Sequence, residues 1–169
     1  MRIAVLGVGN VLFRDEGLGV FVVKYLEKNY KLYGDVDLLD GGTGGLKLLE
    51  YFKEYDIIIM VDVVSIDDKV GSVHRIEGES VKRLLTNHRT AHEVGIGEVM
   101  EMISLLDRSP KVVIIGVVPE DVYTPRIGLS PSLERVFPNI VEAILKELES
   151  LGVSFEKVQD IPLSEIGKL

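Results

Sequence analysis

The sequence contains no cysteine and no tryptophan among its 169 residues. Without cysteine there is no disulfide framework, no thiolate zinc site and no cysteine nucleophile. The absence also fits a reducing compartment, and we expect the protein in the cytoplasm. The apolar fraction of 46% is ordinary for a globular protein, and the length suits one folded domain.

An excess of basic charge is also missing. Lys and Arg number 19 against 27 Asp and Glu, which gives a net charge of −8. Proteins that bind nucleic-acid phosphates or anionic membrane surfaces use clustered basic residues. We therefore expect neither nucleic acid nor a membrane as a partner. No obvious apolar patch indicates an oligomer, so a monomer is the default expectation.

Long hydrophobic runs are absent as well. No stretch approaches the ~20 apolar residues that are needed to span a bilayer. The apolar run from Ile3 to Val8 resembles the start of a signal peptide, but no small-residue cleavage site follows it. A buried first strand is the better interpretation of this run.

Short apolar runs rich in branched residues predict strands that are buried on both faces, as in parallel sheets. Such runs are Ile3–Leu6, Ile57–Val61 and Val112–Val118. Val36–Leu39 is a weaker strand, and the alternating segment Ser72–Ile76 is typical of a sheet edge.

Apolar stripes with helical spacing separate these strands. The stripes run over residues 18–26, 48–52, 96–106 and 141–148, and Gly152 is the expected C-terminal cap of the last helix. Alternation of this kind predicts a single-domain α/β fold with a mainly parallel, twisted sheet of about five strands and helices on both faces.

Three chemically active side chains are expected at one edge of this sheet. Glu16 follows the first strand, Asp62 ends a central strand, and His92 lies in a loop before the third helical stripe. In open α/β sheets, sites form where the carboxyl ends of strands meet loops. Two carboxylate oxygens and one imidazole nitrogen suit nickel, zinc or manganese, with coordination positions left open.

Each member of this trio also has an ordinary interpretation. Glu16, with Asp15, is an acid of the kind that a helix dipole favours in the first turn. Asp62 is a candidate loop cap, and His92 a candidate surface histidine. Asp40, with the glycines that follow it, suits a tight turn capped by Thr43.

Known nucleotide and hydrolase motifs match only in part. Gly7 and Gly9 follow the first strand, but Leu12 stands in place of the third glycine of a dinucleotide fingerprint. His92 begins a zinc-protease-like segment in which Ile96 replaces the second histidine. No G-x-S-x-G elbow is present. A nucleotide-binding oxidoreductase domain remains an alternative.

Several segments together resemble the hydrogenase maturation proteases. In chain order they are GVGNVLFRDEGLGV, DGGTGGLKLLE, IIIMVDVV, TAHEVGIGEVM, and GVVPE followed by PRIGLSPSLE. The resemblance implies a protease-like α/β domain over residues 1–155 and a C-terminal tail over residues 156–169. It implies an aspartyl-type endopeptidase that removes the C-terminal extension of a nickel–iron hydrogenase large-subunit precursor once nickel has been inserted.

The resemblance also implies roles for the trio. Glu16, Asp62 and His92 carry over as nickel ligands, and Asp62 and Glu16 are candidate catalytic residues. Nickel is expected to arrive with the precursor as the element that is recognised. The sequence Thr90-Ala91 before His92 departs from the serine and proline expected in close relatives.

Two questions stay open at this level. If nickel is only recognised and is not catalytic, the candidate bases are Asp15, Asp40 and Glu120. A non-catalytic, nickel-dependent chaperone of the precursor is the other alternative to a protease.

Overall fold

The computed structural model describes residues 1–44, 47–87, 105 and 109–167. Its strands are β1 (Ile3–Val8), β2 (Tyr30–Tyr33), β3 (Val36–Gly42), β4 (Ile57–Val63), β5 (Val73–Glu77), β6 (Lys111–Val117) and β7 (Ser154–Lys157). Its α-helices are α1 (Leu18–Asn29), α2 (Leu48–Glu54), α3 (Glu79–Asn87), α4 (Pro131–Ser150) and α5 (Leu163–Ile166).

Five of the strands form one sheet in the order β3-β1-β4-β6-β5. β1 pairs in parallel with β3 and β4, and β4 pairs in parallel with β6. β5 is antiparallel to β6 at one edge. This confirms the predicted five-stranded, mainly parallel sheet and the edge position of the segment after Ser72. The carboxyl ends of β1, β3, β4 and β6 therefore meet along one edge.

The sheet carries a hydrophobic core on each face. On one face, α1 and α4 pack through residues such as Phe21 and Ile144 against Ile59 of β4. On the other face, α2 and α3 pack through Phe52 and Val81. All residues of β1 and β4 are buried, as expected for central strands covered by helices on both sides.

Close packing of α1 on the sheet depends on two facing glycines. A Cβ built on Gly7 would lie 2.1 Å from the carbonyl oxygen of Gly19, and one built on Gly19 would lie 2.1 Å from the carbonyl oxygen of Val61. The first turn of α1 therefore lies directly on β1 and β4. The segment that precedes α1 is held close to the carboxyl ends of both strands.

The C-terminal segment is docked onto α1. β7 pairs antiparallel with β2 in a separate ribbon, which the sequence did not predict. The buried side chain of Asn29 accepts a hydrogen bond from the N–H of Ile161 at 2.6 Å and donates one to its carbonyl at 3.0 Å. Ile166 of α5 is 1% exposed. These contacts favour a docked tail over a loose one.

Other local predictions have mixed outcomes. Gly152 has a φ of 84° just beyond α4, which confirms the expected cap. Thr43 as a helix cap is wrong, because α2 begins after Lys47. α3 and α5 were not predicted, and the stripe over residues 96–106 lies outside the described residues except at Leu105. Of the helices that the structure describes, none has the length and apolar character needed to cross a membrane.

Candidate active site

Glu16 lies in a short 3-10 helix, Arg14–Gly17, between β1 and α1. The turn is closed by a hydrogen bond from the N–H of Glu16 to the carbonyl of Phe13 at 3.0 Å. Arg14 has a φ of 51°, a left-handed conformation that is uncommon for a residue with a side chain. Glu16 is only 1% exposed, so it is not the solvated first-turn acid that a helix dipole alone would explain.

Asp62 lies inside β4, one residue before the strand ends, and is 4% exposed. Its Oδ1 accepts a hydrogen bond from the N–H of Val63 at 2.8 Å. Because β4 continues to Val63, Asp62 does not cap a loop after the strand. It is a buried carboxylate at the carboxyl end of the most central strand.

Gly9 brings the two acidic segments together. Its backbone follows β1 with a φ of 134°. A Cβ built at this position would lie 1.8 Å from the carbonyl oxygen of Glu16 and 3.7 Å from Oδ1 of Asp62. The space above Gly9 is therefore occupied by the protein's own backbone, whereas a dinucleotide fingerprint leaves such a glycine free for a pyrophosphate.

A cleft of about 280 Å³ opens beside Glu16. One side is formed by residues 63–66 at the end of β4, and the other by Val118, Pro119, Glu120, Val122 and Tyr123. Tyr123 is 81% exposed, an unusual position for an aromatic ring. A concave site with mainly apolar lining residues and a few polar ones is typical of a binding site.

Asp15 has a different environment from its neighbour Glu16. It is fully buried, and its carboxylate accepts hydrogen bonds from the backbone N–H groups of Glu120, Asp121 and Ser130 and from the hydroxyl of Ser130, at 2.7–3.0 Å. An enclosed carboxylate with four donors is not placed to take a proton from a substrate. The suggestion that Asp15 serves as a base is therefore not supported by the geometry.

The other candidate bases are exposed. Asp40 lies near the end of β3, and its Oδ1 accepts a hydrogen bond from the N–H of Gly42, which is the predicted tight turn. Glu120 lines the cleft, and its Oε1 accepts a hydrogen bond from the hydroxyl of Ser132 at 3.2 Å. Of Asp15, Asp40 and Glu120, only Glu120 shares the cleft with Glu16.

The histidines contribute little within the described residues. His92, the third predicted ligand, and His88 both lie outside them. His74 is in the edge strand β5, where its Nε2 lies 2.8 Å from Oδ2 of Asp68, in keeping with a structural role. The structure thus places Glu16 and Asp62 at the same edge and does not address the position of His92.

The described acidic donors at this edge are two carboxylates. Carboxylate oxygens are ligands that divalent cations bind in proteins. Across residues 1–44, 47–87, 105 and 109–167, no cluster of three or more His, Cys, Asp or Glu side chains is arranged to hold a metal. The described part of the trio is a pair of carboxylates, so a full set requires a further ligand from elsewhere.

The sequence pattern of the chain identifies its relatives. A sequence model of the hydrogenase maturation protease family matches residues 20–147. The chain belongs to this family. The hydrogenase 2 maturation protease of Escherichia coli (strain K12) is 38% identical over 155 residues, which cover 90% of this chain and 94% of that protein.

Solved structures agree with this assignment of the protease. The hydrogenase maturating endopeptidase HybD from E. coli superposes with a TM-score of 0.87 at 37% identity, covering 93% of this chain and 98% of that one. The [NiFe] hydrogenase maturation protease HybD from Thermococcus kodakarensis superposes with a TM-score of 0.69 at 25% identity, covering 87% and 99%. This maturation protease therefore shares its whole fold, and not only a motif, with its relatives.

Two features of the protease's site were not found from sequence. The enclosure of Asp15 was missed because its partners lie 105 to 115 residues away along the chain. The segment over residues 119–130, which includes Tyr123, carried no periodic pattern of apolar residues, because it forms neither a helix nor a named strand.

Proposed function

We propose that this protease acts in the cytoplasm to remove the C-terminal extension of a nickel–iron hydrogenase large-subunit precursor after nickel insertion. The carrying observation is that two buried acidic residues meet at Gly9, at the carboxyl edge of the sheet and next to an open cleft: Glu16 through its backbone carbonyl and Asp62 through its Oδ1. Relatives are described as a hydrogenase 2 maturation protease and a [NiFe] hydrogenase maturation protease. Both descriptions support a hydrogenase protein as the substrate.

In this proposal the nickel belongs to the precursor. Glu16 and Asp62 would each supply a carboxylate oxygen to it, and His92 an imidazole nitrogen. A nickel-free precursor lacks these bonds and binds more weakly, so the same residues distinguish loaded from empty substrate. The metal, when bound, would also polarise nearby oxygen atoms as a Lewis acid.

The chemical step is hydrolysis of one peptide bond. A water molecule adds to the scissile carbonyl carbon, the C–N bond breaks, and the water's protons end on the leaving amine and the new carboxyl group. Glu16 borders the cleft, although its carboxylate oxygens are buried. In this proposal it accepts the proton from water and passes it to the leaving nitrogen. Asp62 has one oxygen engaged by the N–H of Val63, which holds its other oxygen in a fixed direction.

The test is mass spectrometry of a cognate large-subunit precursor. Nickel-loaded and nickel-free precursor are each incubated with the protease, and the intact masses are compared. We expect loss of a C-terminal peptide from the loaded precursor only. Cleavage of both forms would refute nickel recognition and leave the protease activity standing.

A stable complex of protease and loaded precursor, with no cleavage, would refute the proposed reaction and favour a holding chaperone. A Glu142→Gln variant is assayed beside the wild type as a control. Loss of this one negative charge alone should leave precursor cleavage unchanged. Glu142 is an exposed acid on α4 that pairs with Lys146, and it is not among the residues that line the cleft.

A further inference from the structure

Asp15 accepts hydrogen bonds from both ends of one wall of the cleft. We define the cleft wall as residues 119–130, which connect the end of β6 to the start of α4. Oδ2 of Asp15 accepts hydrogen bonds from the N–H groups of Glu120 and Asp121, at 2.9 and 3.0 Å. At the other end of the wall, Ser130 donates its N–H to Oδ1 at 2.7 Å and its hydroxyl to Oδ2 at 2.8 Å.

Backbone contacts continue the same connection. The N–H of Arg14 donates to the carbonyl of Arg126 at 2.8 Å, and the N–H of Asp15 donates to the carbonyl of Asp121 at 3.0 Å. The 3-10 helix that contains Glu16 and the wall that contains Tyr123 are thereby held at a set separation. Residues of both segments line the cleft, Glu16 from the first and Glu120, Val122 and Tyr123 from the second.

The hydroxyl of Ser130 bonds to Asp15 and does not cap the helix that Ser130 precedes. Ser130 occupies the N-cap of α4, where a serine hydroxyl usually accepts a hydrogen bond from the helix's first turn. Here the residue makes no side-chain cap hydrogen bond, and its hydroxyl donates to Asp15 instead.

We propose that Asp15 is a positioning residue, which sets the cleft wall against the 3-10 helix so that the precursor peptide fits beside Glu16. This inference rests on the proposed function. Asp15 is fully buried, so it acts through the wall and does not touch the substrate. The wall residues Val122 and Tyr123, which line the cleft between the two anchored ends, are the ones whose position it controls.

The requirement for a carboxylate follows from the donor count. All the described donors to Asp15 are N–H or O–H groups that converge on two oxygens, and a carboxylate has only acceptors to offer. An asparagine would turn an NH₂ group towards at least one backbone N–H, which has no lone pair to accept from it. Asp15→Asn therefore weakens one anchor with almost no change in volume.

The experiment measures precursor cleavage by Asp15→Asn as a function of precursor concentration, well below the thermal midpoint. We expect the KM for the nickel-loaded precursor to rise about tenfold, because a loosened wall must be ordered on binding. Loss of stability alone lowers the active fraction, and hence the apparent kcat, without changing KM. A KM equal to that of the wild type would overturn the inference.

Glu147→Gln is the matched control. Glu147 is a largely buried carboxylate that accepts two hydrogen bonds from Arg75, at 2.7 and 2.9 Å, between α4 and β5. It lies outside the residues that line the cleft. We expect this variant to lose stability and keep the wild-type KM. An equal rise in KM for both variants would show that Asp15 has only a general structural role.

Amide exchange separates this inference from the proposed function. In Asp15→Asn, the amides of Glu120, Asp121 and Ser130 should exchange about tenfold faster or more, because their acceptor is weakened. In Glu147→Gln they should match the wild type. Unchanged exchange in Asp15→Asn would refute the positioning role, even if the wild type cleaves the precursor. Faster exchange in Asp15→Asn, together with no cleavage by the wild type, would confirm that Asp15 anchors the cleft wall. It would refute the proposal that the cleft is the active site of a protease.

Discussion

The carbonyl oxygen of Glu16 lies where a side chain on residue 9 would begin. A Cβ built on Gly9 would be 1.8 Å from that oxygen, and the φ of Gly9 is 134°. Real Cβ atoms essentially never approach a heavy atom so closely. Gly9 therefore allows the 3-10 helix that contains Glu16 to lie on the end of β1, where it also contacts β4.

Replacement of Gly9 by alanine should remove this approach. We expect Gly9→Ala to lose at least about 1–3 kcal/mol of unfolding free energy from backbone strain alone, and to abolish precursor cleavage because Glu16 is displaced. Urea unfolding and the cleavage assay measure the two effects. The control is Gly78→Ala: Gly78 has a φ of 68° but no atom within 4 Å of a built Cβ. A fully active Gly9→Ala variant would contradict the proposed packing.

Removing the charge of either buried carboxylate should stop processing with the fold intact. Glu16→Gln and Asp62→Asn keep the shape of the side chain but weaken its binding to a cation. We expect the cleavage rate of nickel-loaded precursor to fall about 10²-fold or more, since even indirect metal partners contribute up to this factor. Circular dichroism would check the fold. Normal cleavage by Asp62→Asn would remove Asp62 from the site.

The exposed ring of Tyr123 should contribute to precursor binding. Tyr123 is 81% exposed beside the cleft, so Tyr123→Ala should leave the thermal midpoint unchanged. We expect KM to rise by roughly fivefold to thirtyfold, the effect of about 1–2 kcal/mol for a tyrosine anchor. Tyr33→Ala, which removes an exposed tyrosine from the β2–β7 ribbon, should leave KM unaltered. Equal KM values for the two variants would refute this role.

Stability should decrease at alkaline pH because of Tyr55. Burial, and then the hydrogen bond that its hydroxyl donates to Asp37, raise the pKa of Tyr55 from 10.0 to about 12. Between these values the folded protein keeps a proton that the unfolded chain releases, so the free energy of unfolding falls as the pH rises. We expect Tyr55 to account for a loss of roughly 1–2 kcal/mol over this range.

The measurement compares urea unfolding of the wild type and Tyr55→Phe at several pH values from neutral to about 12. Phenylalanine cannot ionise, so the variant should lose less stability than the wild type above the ordinary tyrosine pKa. Parallel pH curves for the two proteins would contradict the assignment.

Prediction from the sequence succeeded where a pattern is local and repetitive. The strand near Ile57 and the helix near Phe21 follow from runs and stripes of apolar residues, because burial on two faces or one leaves a readable period. The ribbon of β2 and β7 was missed because it pairs short half-exposed strands from distant parts of the chain. The alternating pattern there is too brief to distinguish from a loop.

Some residues of the candidate site were predicted from the sequence, and the role of one was not. Glu16 and Asp62 were predicted as partners because Glu16 follows one strand and Asp62 ends another, and the strands of a parallel sheet end at the same edge. Asp15, next to Glu16, was grouped with it as a first-turn acid. Its separate role depends on Ser130 and Asp121, which only the folded chain brings to its carboxylate.

By itself, the sequence determined the fold class, the family and the edge of the sheet at which the acidic residues gather, because these depend on hydrophobic period and on motifs within short segments. Only the tertiary structure decided which of two adjacent buried acids borders the cleft and which accepts hydrogen bonds from a distant segment. The turn of the 3-10 helix over Gly9 places Glu16 at the border of the cleft and the carboxylate of Asp15 among four donors. The donors come from the cleft wall, more than a hundred residues further along the chain. No local sequence pattern predicts that these groups meet at Asp15.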